Sequence, residues 1–255
     1  MPQSRHRVIL PGVRKGQGAP RHSMLKPMSK PVTVEQAIED LPRIRSKLSR
    51  GESLETWRKA VQDGAAYDLG SICQHEARLH MASDLARYLF AATFAHLQGY
   101  SPRLDAFPPR LLPDHLNVQS LGKTETIPFN DRFRAQCKNE PATTVVAHIA
   151  KDGHYCIHYD PSQCRSLAVR EVARLQTFPD NCFFAGNRTE QYIQVGNAVP
   201  PLLAYKLAGI ARNLLNEMNR KKRRQVNGRM NNKSMQSPRR SVAGQIQVPL
   251  LAEAD

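Results

Sequence analysis

Apolar residues fall along this chain in three patterns. The first is a continuous run, Val8-Ile9-Leu10, ended by Pro11 and Gly12. It predicts a short strand buried on both faces, as in a parallel sheet. A strand of that kind needs neighbours, so the chain is expected to open inside a sheet. The second pattern is helical spacing. Thr33 and Gln36 have the spacing of a capping box ahead of Val34, Ala37, Ile38 and Leu41, with Pro42 interrupting. A long helix is predicted over 74–98, with Leu79, Leu85, Leu89, Phe90 and Phe94 among its apolar positions. Leu167, Val169, Val172, Ala173 and Leu175 predict another, stopped by Phe178-Pro179-Asp180. A last helix is predicted over 201–218, with Leu202, Leu203, Leu207, Ile210, Leu214 and Leu215 on its stripe and Pro200-Pro201 at its first turn. The third pattern is alternation. Residues 143–149 and 155–159 alternate like the strands of a hairpin, joined by Lys151-Asp152-Gly153.

Composition narrows the class. The 255 residues are 40% hydrophobic and 23% charged, enough to bury a core and unlike a disordered chain. No apolar run approaches the ~20 residues of a membrane helix, and residues 1–10 carry Arg and His where a secretory signal would be apolar. Five cysteines without framework spacing fit a reducing compartment. The expected location is therefore the cytoplasm, with no membrane partner. The net charge of +15 is uneven. Residues 1–30 hold seven Lys/Arg and no acid, residues 212–255 hold ten Lys/Arg and three acids, and the stretch between nets +1. Two basic ends fit a polyanion, most often nucleic acid, or two solvated tails. The run Lys221-Lys222-Arg223-Arg224 and the polar residues after it read as a disordered tail. An RNA-binding protein would need aromatic stacking motifs, and aromatic residues are 6%.

Few short motifs carry chemistry. Gly16-Gln17-Gly18 follows the predicted strand as a dinucleotide loop would, but residue 21 is Arg and no helical pattern follows, so it reads as linker. Cys73, His75 and His80, or Cys156, Cys164 and Cys182, lack the paired spacing of a metal site and read as buried thiols and ordinary histidines. No metal is expected. His154 and His158 share one face of a strand read over His154–Tyr159. They could touch a nucleic-acid backbone or sit half-buried in a sheet. Arg165, Arg170, Glu171 and Arg174 place charge on an otherwise apolar helix. The segment Gln191–Pro201 is a different object. Gly196 allows a close approach or positive φ, Asn197 both donates and accepts, and Pro200-Pro201 fixes the entry to the last helix. A rigid polar turn of this kind suits a ligand-facing corner.

These segments resemble the C-terminal motifs of the DNA (cytosine-5) methyltransferase family. Residues 165–180 match its ninth motif through Arg165, Arg170, Glu171, Ala173, Arg174, Gln176, Phe178 and Pro179, with Ala168 where Thr is usual. Residues 191–201 match the tenth, including Gly196, Asn197 and Val199. Gln3, Arg5 and Arg7 match the Gln-x-Arg-x-Arg of the eighth. Pro141-Ala142-Thr143-Thr144-Val145 resembles the Thr-containing segment near the end of the family's target recognition domain.

The resemblance implies an α/β fold. It would comprise the C-terminal portion of a Rossmann-like methyltransferase domain (one strand and the terminal helix) and a mixed α+β target recognition domain. The implied boundaries are 1–30 for the end of the catalytic domain and a linker, 31–164 for target recognition, 165–219 for the ninth and tenth motifs, and 220–255 for the basic tail. Gln3, Arg5, Arg7, Thr143 and Thr144 would contact DNA or the target base. Asn197, Ala198 and Val199 would line an S-adenosyl-L-methionine pocket that this chain supplies only in part. Arg165, Arg170, Glu171, Arg174, Gln176 and Gly196 would hold the domain junction.

In the family a Cys thiolate adds to C6 of a flipped cytosine, C5 takes the methyl group, and loss of the C5 proton and the thiolate restores the ring. That nucleophile sits in Pro-Cys. The five cysteines here follow Ile72, Gln136, Tyr155, Gln163 and Asn181, and neither Glu-Asn-Val nor Phe-x-Gly-x-Gly occurs. No catalytic residue is therefore assigned, and activity is expected to need a second polypeptide carrying the first seven motifs. Double-stranded DNA and that N-terminal methyltransferase subunit are the expected partners, in a restriction-modification context. A truncated, non-catalytic DNA-binding remnant is the alternative.

Overall fold

The computed structural model describes residues 1–4, 25, 30–46, 73–113 and 130–235. The chain divides into two compact units, Met1–Pro11 with Met24–Ala208, and Gly12–Ser23 with Gly209–Asp255. The described elements are five α-helices and three short 3-10 turns. The helices are α1 (Val34–Ile38), α2 (Ala82–Gln98), α3 (Val169–Leu175), α4 (Arg188–Asn197) and α5 (Pro201–Met235). The turns are Leu104–Ala106, Pro109–Leu111 and Ala147–Ala150.

Local chemistry sets the helix ends. At α1, Thr33 Oγ1 accepts the Gln36 N–H and the Gln36 side chain accepts the Thr33 N–H, the predicted capping box. Asn187 and Glu190 close the same box at α4, and this helix was not predicted. α3 ends in a left-handed residue. Thr177 has φ 66°, its N–H bonds Arg174 O, and Phe178 N–H bonds Ala173 O, which together form a Schellman motif. A β-branched residue is unfavourable at that φ. The Thr177 hydroxyl has a second task, because Oγ1 accepts the Leu202 N–H at the start of α5 (3.1 Å).

Among the described residues, two large apolar clusters and a small one of Ile44, Ala77 and Ala168 form the core of the first unit. One large cluster joins α1, α3 and α4 through Val34, Ile38, Val172, Leu175, Tyr192 and Val195, with Val145 and Ile149 between them. The other packs Tyr88, Ala91, Ala92 and Ala95 of α2 on Leu104, Phe107, Phe133 and Ile157.

The expected α/β fold is overturned. Among the described residues there is no β-strand, only isolated bridges at Gln3–Ala142, Ala135–Ile157 and Ile157–Ser166. They therefore contain neither a Rossmann-like strand nor a mixed α+β recognition region. The Val8–Leu10 strand lies outside the described residues. The predicted hairpin fails because its halves pair elsewhere. Ala142 bonds Pro2 and Ser4, the chain then coils into the 3-10 turn at Ala147, and residues 156–158 bond 134–136 on one side and 165–167 on the other. Asp152-Gly153 does turn the chain, with Gly153 at φ 78° and Asp152 Oδ1 accepting the His154 N–H.

Two helix bounds also differ. α2 begins at Ala82 instead of Gln74, because Gln74 takes φ 64° and its amide pairs both ways with the Phe184 backbone. Its buried face is Tyr88, Ala91, Ala92 and Ala95, while Leu79 and Leu89 are exposed. α5 runs on to Met235, so the basic run read as disordered is helical.

Candidate functional site

Four segments singled out in the sequence converge on one polar junction. Gln3 is 5% exposed, its Nε2 donates to Gln176 Oε1 (2.6 Å), and its Oε1 accepts the Val145 N–H (3.1 Å). Gln176 Nε2 donates onward to Val195 O (3.2 Å). Thr144 Oγ1 donates to Ser4 O (2.6 Å), while Thr143 pairs through its N–H and hydroxyl with the buried Gln136 amide. Gln3, Thr143 and Thr144 are thus adjacent, with Thr144 exposed. Arg5 and Arg7 lie outside the described residues.

Gly196 completes the junction. A Cβ built there would lie 2.4 Å from Ala147 N and 2.6 Å from Val146 C. α4 can therefore rest backbone to backbone on the 3-10 turn solely because residue 196 has no side chain. Beyond it, Asn197 and Val199 are exposed and Ala198 is half-buried. The buried Pro200 and the Thr177–Leu202 bond fix the chain immediately after them.

Beneath the junction lies a buried ionic frame. Arg165 and Glu171 are both almost wholly buried. Arg165 Nη1 and Nη2 donate to Glu171 Oε2 and Oε1, each at 2.7 Å. Its remaining N–H groups reach Ile44 O, Ser166 O and Gln163 Oε1, so all five guanidinium donors are engaged. Glu171 also accepts the Ala168 N–H at the start of α3, the one half of a capping box that an alanine N-cap allows. Burial alone would raise its carboxyl pKa, but Arg165 and His158 overcome that and hold it well below the usual carboxylate range. His158 Nδ1 accepts the Asp160 N–H while Nε2 faces Glu171 at 3.4 Å, the pattern of the neutral Nε2–H tautomer.

Arg170, also unexposed, donates to Cys73 O, Cys182 O and Pro179 O and to Cys73 Sγ. Arg174 forks onto Asp180 at 2.8 and 2.6 Å and reaches Asp40 beside α1. Arg165, Arg170 and Arg174 therefore each tie the α3 region to different neighbours.

The buried histidines and thiols are held neutral. Burial lowers the pKa of His75, His154 and His158 and pushes His80 down to about 4. Burial raises the thiols of Cys137 and Cys164 and takes Cys156 up to about 12, the reverse of an activated nucleophile. Among the described residues, no three His, Cys, Asp or Glu side chains are grouped to hold a metal. His154 pairs with the Tyr88 hydroxyl (2.7 Å) and His80 with Ser166 (3.0 Å), so both are engaged inside the fold.

The histidines set a pH dependence. A folded pKa below the unfolded value of about 6.5 means that the unfolded chain binds protons first as the pH falls. Stability is expected to be full above that pH and to decline below it, by up to about 1.4 kcal/mol per pH unit for each such histidine. Urea midpoints should fall between pH 7 and 5, before carboxylates titrate. Flat midpoints over that interval would refute the neutral-core reading.

Sequence reasoning missed Gln136 and Thr177, whose tasks depend on distant partners. It also missed the Asn187–Glu190 box, whose Asn-x-x-Glu spacing was legible. Among the described residues, no helix is long and apolar enough to cross a membrane.

Comparison with known proteins places the chain in one family. The C-5 cytosine-specific DNA methylase family matches over residues 1–212. The type II methyltransferase M.Bpa9945I of Bacillus paralicheniformis is 38% identical over 231 residues, 85% of this chain and 49% of that protein. M.DdeI of Desulfomicrobium norvegicum is 30% identical over 82% of this chain and 50% of its own length, and M.XorII of Xanthomonas oryzae is 30% identical over 82% and 46%. The chain thus spans about half the length of the curated relatives that it matches. With the family matching across the whole polar junction, the chain belongs to the C-5 cytosine-specific DNA methylases.

Proposed function

We propose that this chain reads DNA and closes the methyl-donor pocket for a DNA (cytosine-5) methyltransferase of restriction-modification type. The observation that supports the reading is the single hydrogen-bonded junction joining Gln3, Ser4, Thr144, Val145, Gln176 and Val195, which lie in the segments that resemble the family's eighth, ninth and tenth motifs and its Thr-containing segment. Residues 31–164 serve as the target recognition region. Gln3, Arg5 and Arg7 are the residues assigned to the flipped base or nearby phosphates, and the Gln3 amide is engaged inside the fold. Thr144 lies at the exposed edge of the same junction.

Asn197, Ala198 and Val199 form one wall of the S-adenosyl-L-methionine site. An exposed amide and an exposed apolar side chain, held between a capped helix and a double proline, fit a wall that something else completes. The bound S-adenosyl-L-methionine would supply the methyl group. The residues here orient it and exclude water from one side.

These 255 residues hold no Pro-Cys, so the nucleophile and the rest of the pocket come from sequence outside them. The test is methyl transfer from radiolabelled S-adenosyl-L-methionine to cytosine-containing duplex DNA. The chain is assayed alone and with a polypeptide carrying the family's Pro-Cys and Phe-x-Gly-x-Gly segments. No incorporation alone and clear incorporation with the second polypeptide is the expected result. Transfer by the chain alone would overturn the proposal. Absence of transfer in both arms would select the DNA-binding remnant.

A further inference from the structure

The family match ends at residue 212, yet α5 continues to Met235. This extension holds Arg220, Lys221, Lys222, Arg223 and Arg224 in succession, all five exposed, and from residue 212 to 235 its one acid is Glu217. Within a helix, successive side chains are turned by about 100°. Five in a row therefore surround the helix with positive charge while rising only about 6 Å along its axis. This differs from a helix with one basic face.

The arrangement selects among polyanions. A membrane surface or a flat acidic protein face meets one side of a helix, and the cations on the far side would remain in water. The major groove of B-DNA, about 12 Å wide, admits a helix about 10–12 Å across and carries phosphates along both walls. The corresponding groove of an RNA duplex is too narrow and deep to read in this way. We infer that the α5 extension is a second DNA-binding element, a charged rod that enters the major groove and grips both phosphate backbones without regard to sequence. In taking DNA as the polyanion, the inference rests on the proposed function above.

The test uses the full chain, a labelled DNA duplex of arbitrary sequence and fluorescence anisotropy across a salt series. One variant combines Arg220→Gln, Lys221→Gln, Lys222→Gln, Arg223→Gln and Arg224→Gln, since Gln keeps helix propensity close to that of Lys and Arg. The slope of log affinity against log salt falls by about 0.9 for each phosphate that the protein no longer neutralises, so a flattening of at least about 2 is expected. A second comparison sets Lys222→Pro against Lys222→Gln. These carry equal charge, but the proline breaks the rod, and it is expected to bind several-fold more weakly.

An unchanged slope in the five-Gln variant would overturn the inference. Equal binding by the two Lys222 variants, or an equal loss on double-stranded RNA, would also overturn it, leaving plain polyanion attraction. Methyl transfer with the complementing polypeptide at low salt is expected to survive the five substitutions. Its absence in the parent chain would instead count against the proposed function.

Discussion

Glu171→Gln is expected to cost about 3–5 kcal/mol of folding stability, the range for stranding one member of a buried ion pair. Glutamine matches glutamate in size, so no cavity contributes. The loss arises because Arg165, unexposed and engaged through all five donors, keeps its charge while its anion becomes a neutral amide. One end of that amide also presents N–H groups toward N–H groups. Urea denaturation at pH 7.5 would measure it. A loss below about 1 kcal/mol, the range of exposed ion pairs, would refute the frame. The double variant Arg165→Met/Glu171→Leu is expected to cost less than the sum of the single changes, because it removes both buried charges together.

Gly196→Ala tests the backbone approach between α4 and the 3-10 turn. In an ordinary helix interior, this change stabilises by roughly 1 kcal/mol. Here the new methyl would meet backbone atoms of Val146 and Ala147 at 2.4–2.6 Å, and backbone cannot rotate aside. A destabilisation of about 1–3 kcal/mol is expected, as for overpacking in a tight core. Gly209→Ala is the internal control. Its added Cβ meets nothing within 4 Å among the described residues, so the ordinary gain should return. Equal effects at 196 and 209 would remove the close approach from the account of the junction.

Features set by neighbours in sequence were legible, and those set by distant partners were not. The Thr33–Gln36 box could be read because its partners are three residues apart. Arg165 and Glu171 read as charge on an apolar helix, a pattern that solvent could equally accommodate. Their burial depends on Ile44 O and Gln163, which the helix pattern does not contain. The hairpin failed for the same reason. Alternation over 143–149 describes which residues are apolar, while pairing was decided by Pro2 and Ser4 at the other end of the unit. The resemblance marked Gln3, Gln176 and Gly196 as belonging together, but the fold class that it implied does not appear among the described residues. It also gave no warning that the basic run beyond Arg220 would be helical.

The Gln3–Gln176 amide pair also bears on the order of folding. Its members stand 173 residues apart, so the bond closes one of the longest loops in the chain and pays most of its entropy before any reward arrives. At a synthesis rate of about 5–20 residues per second, residue 3 waits roughly 10–35 s for residue 176 to be made. Helices α1 and α2 have time to form and pack during that interval. Residues 2–4 can meet Ala142, Thr144 and Val145 first, and the strip is locked only when Gln176, just after α3, arrives to close the amide pair.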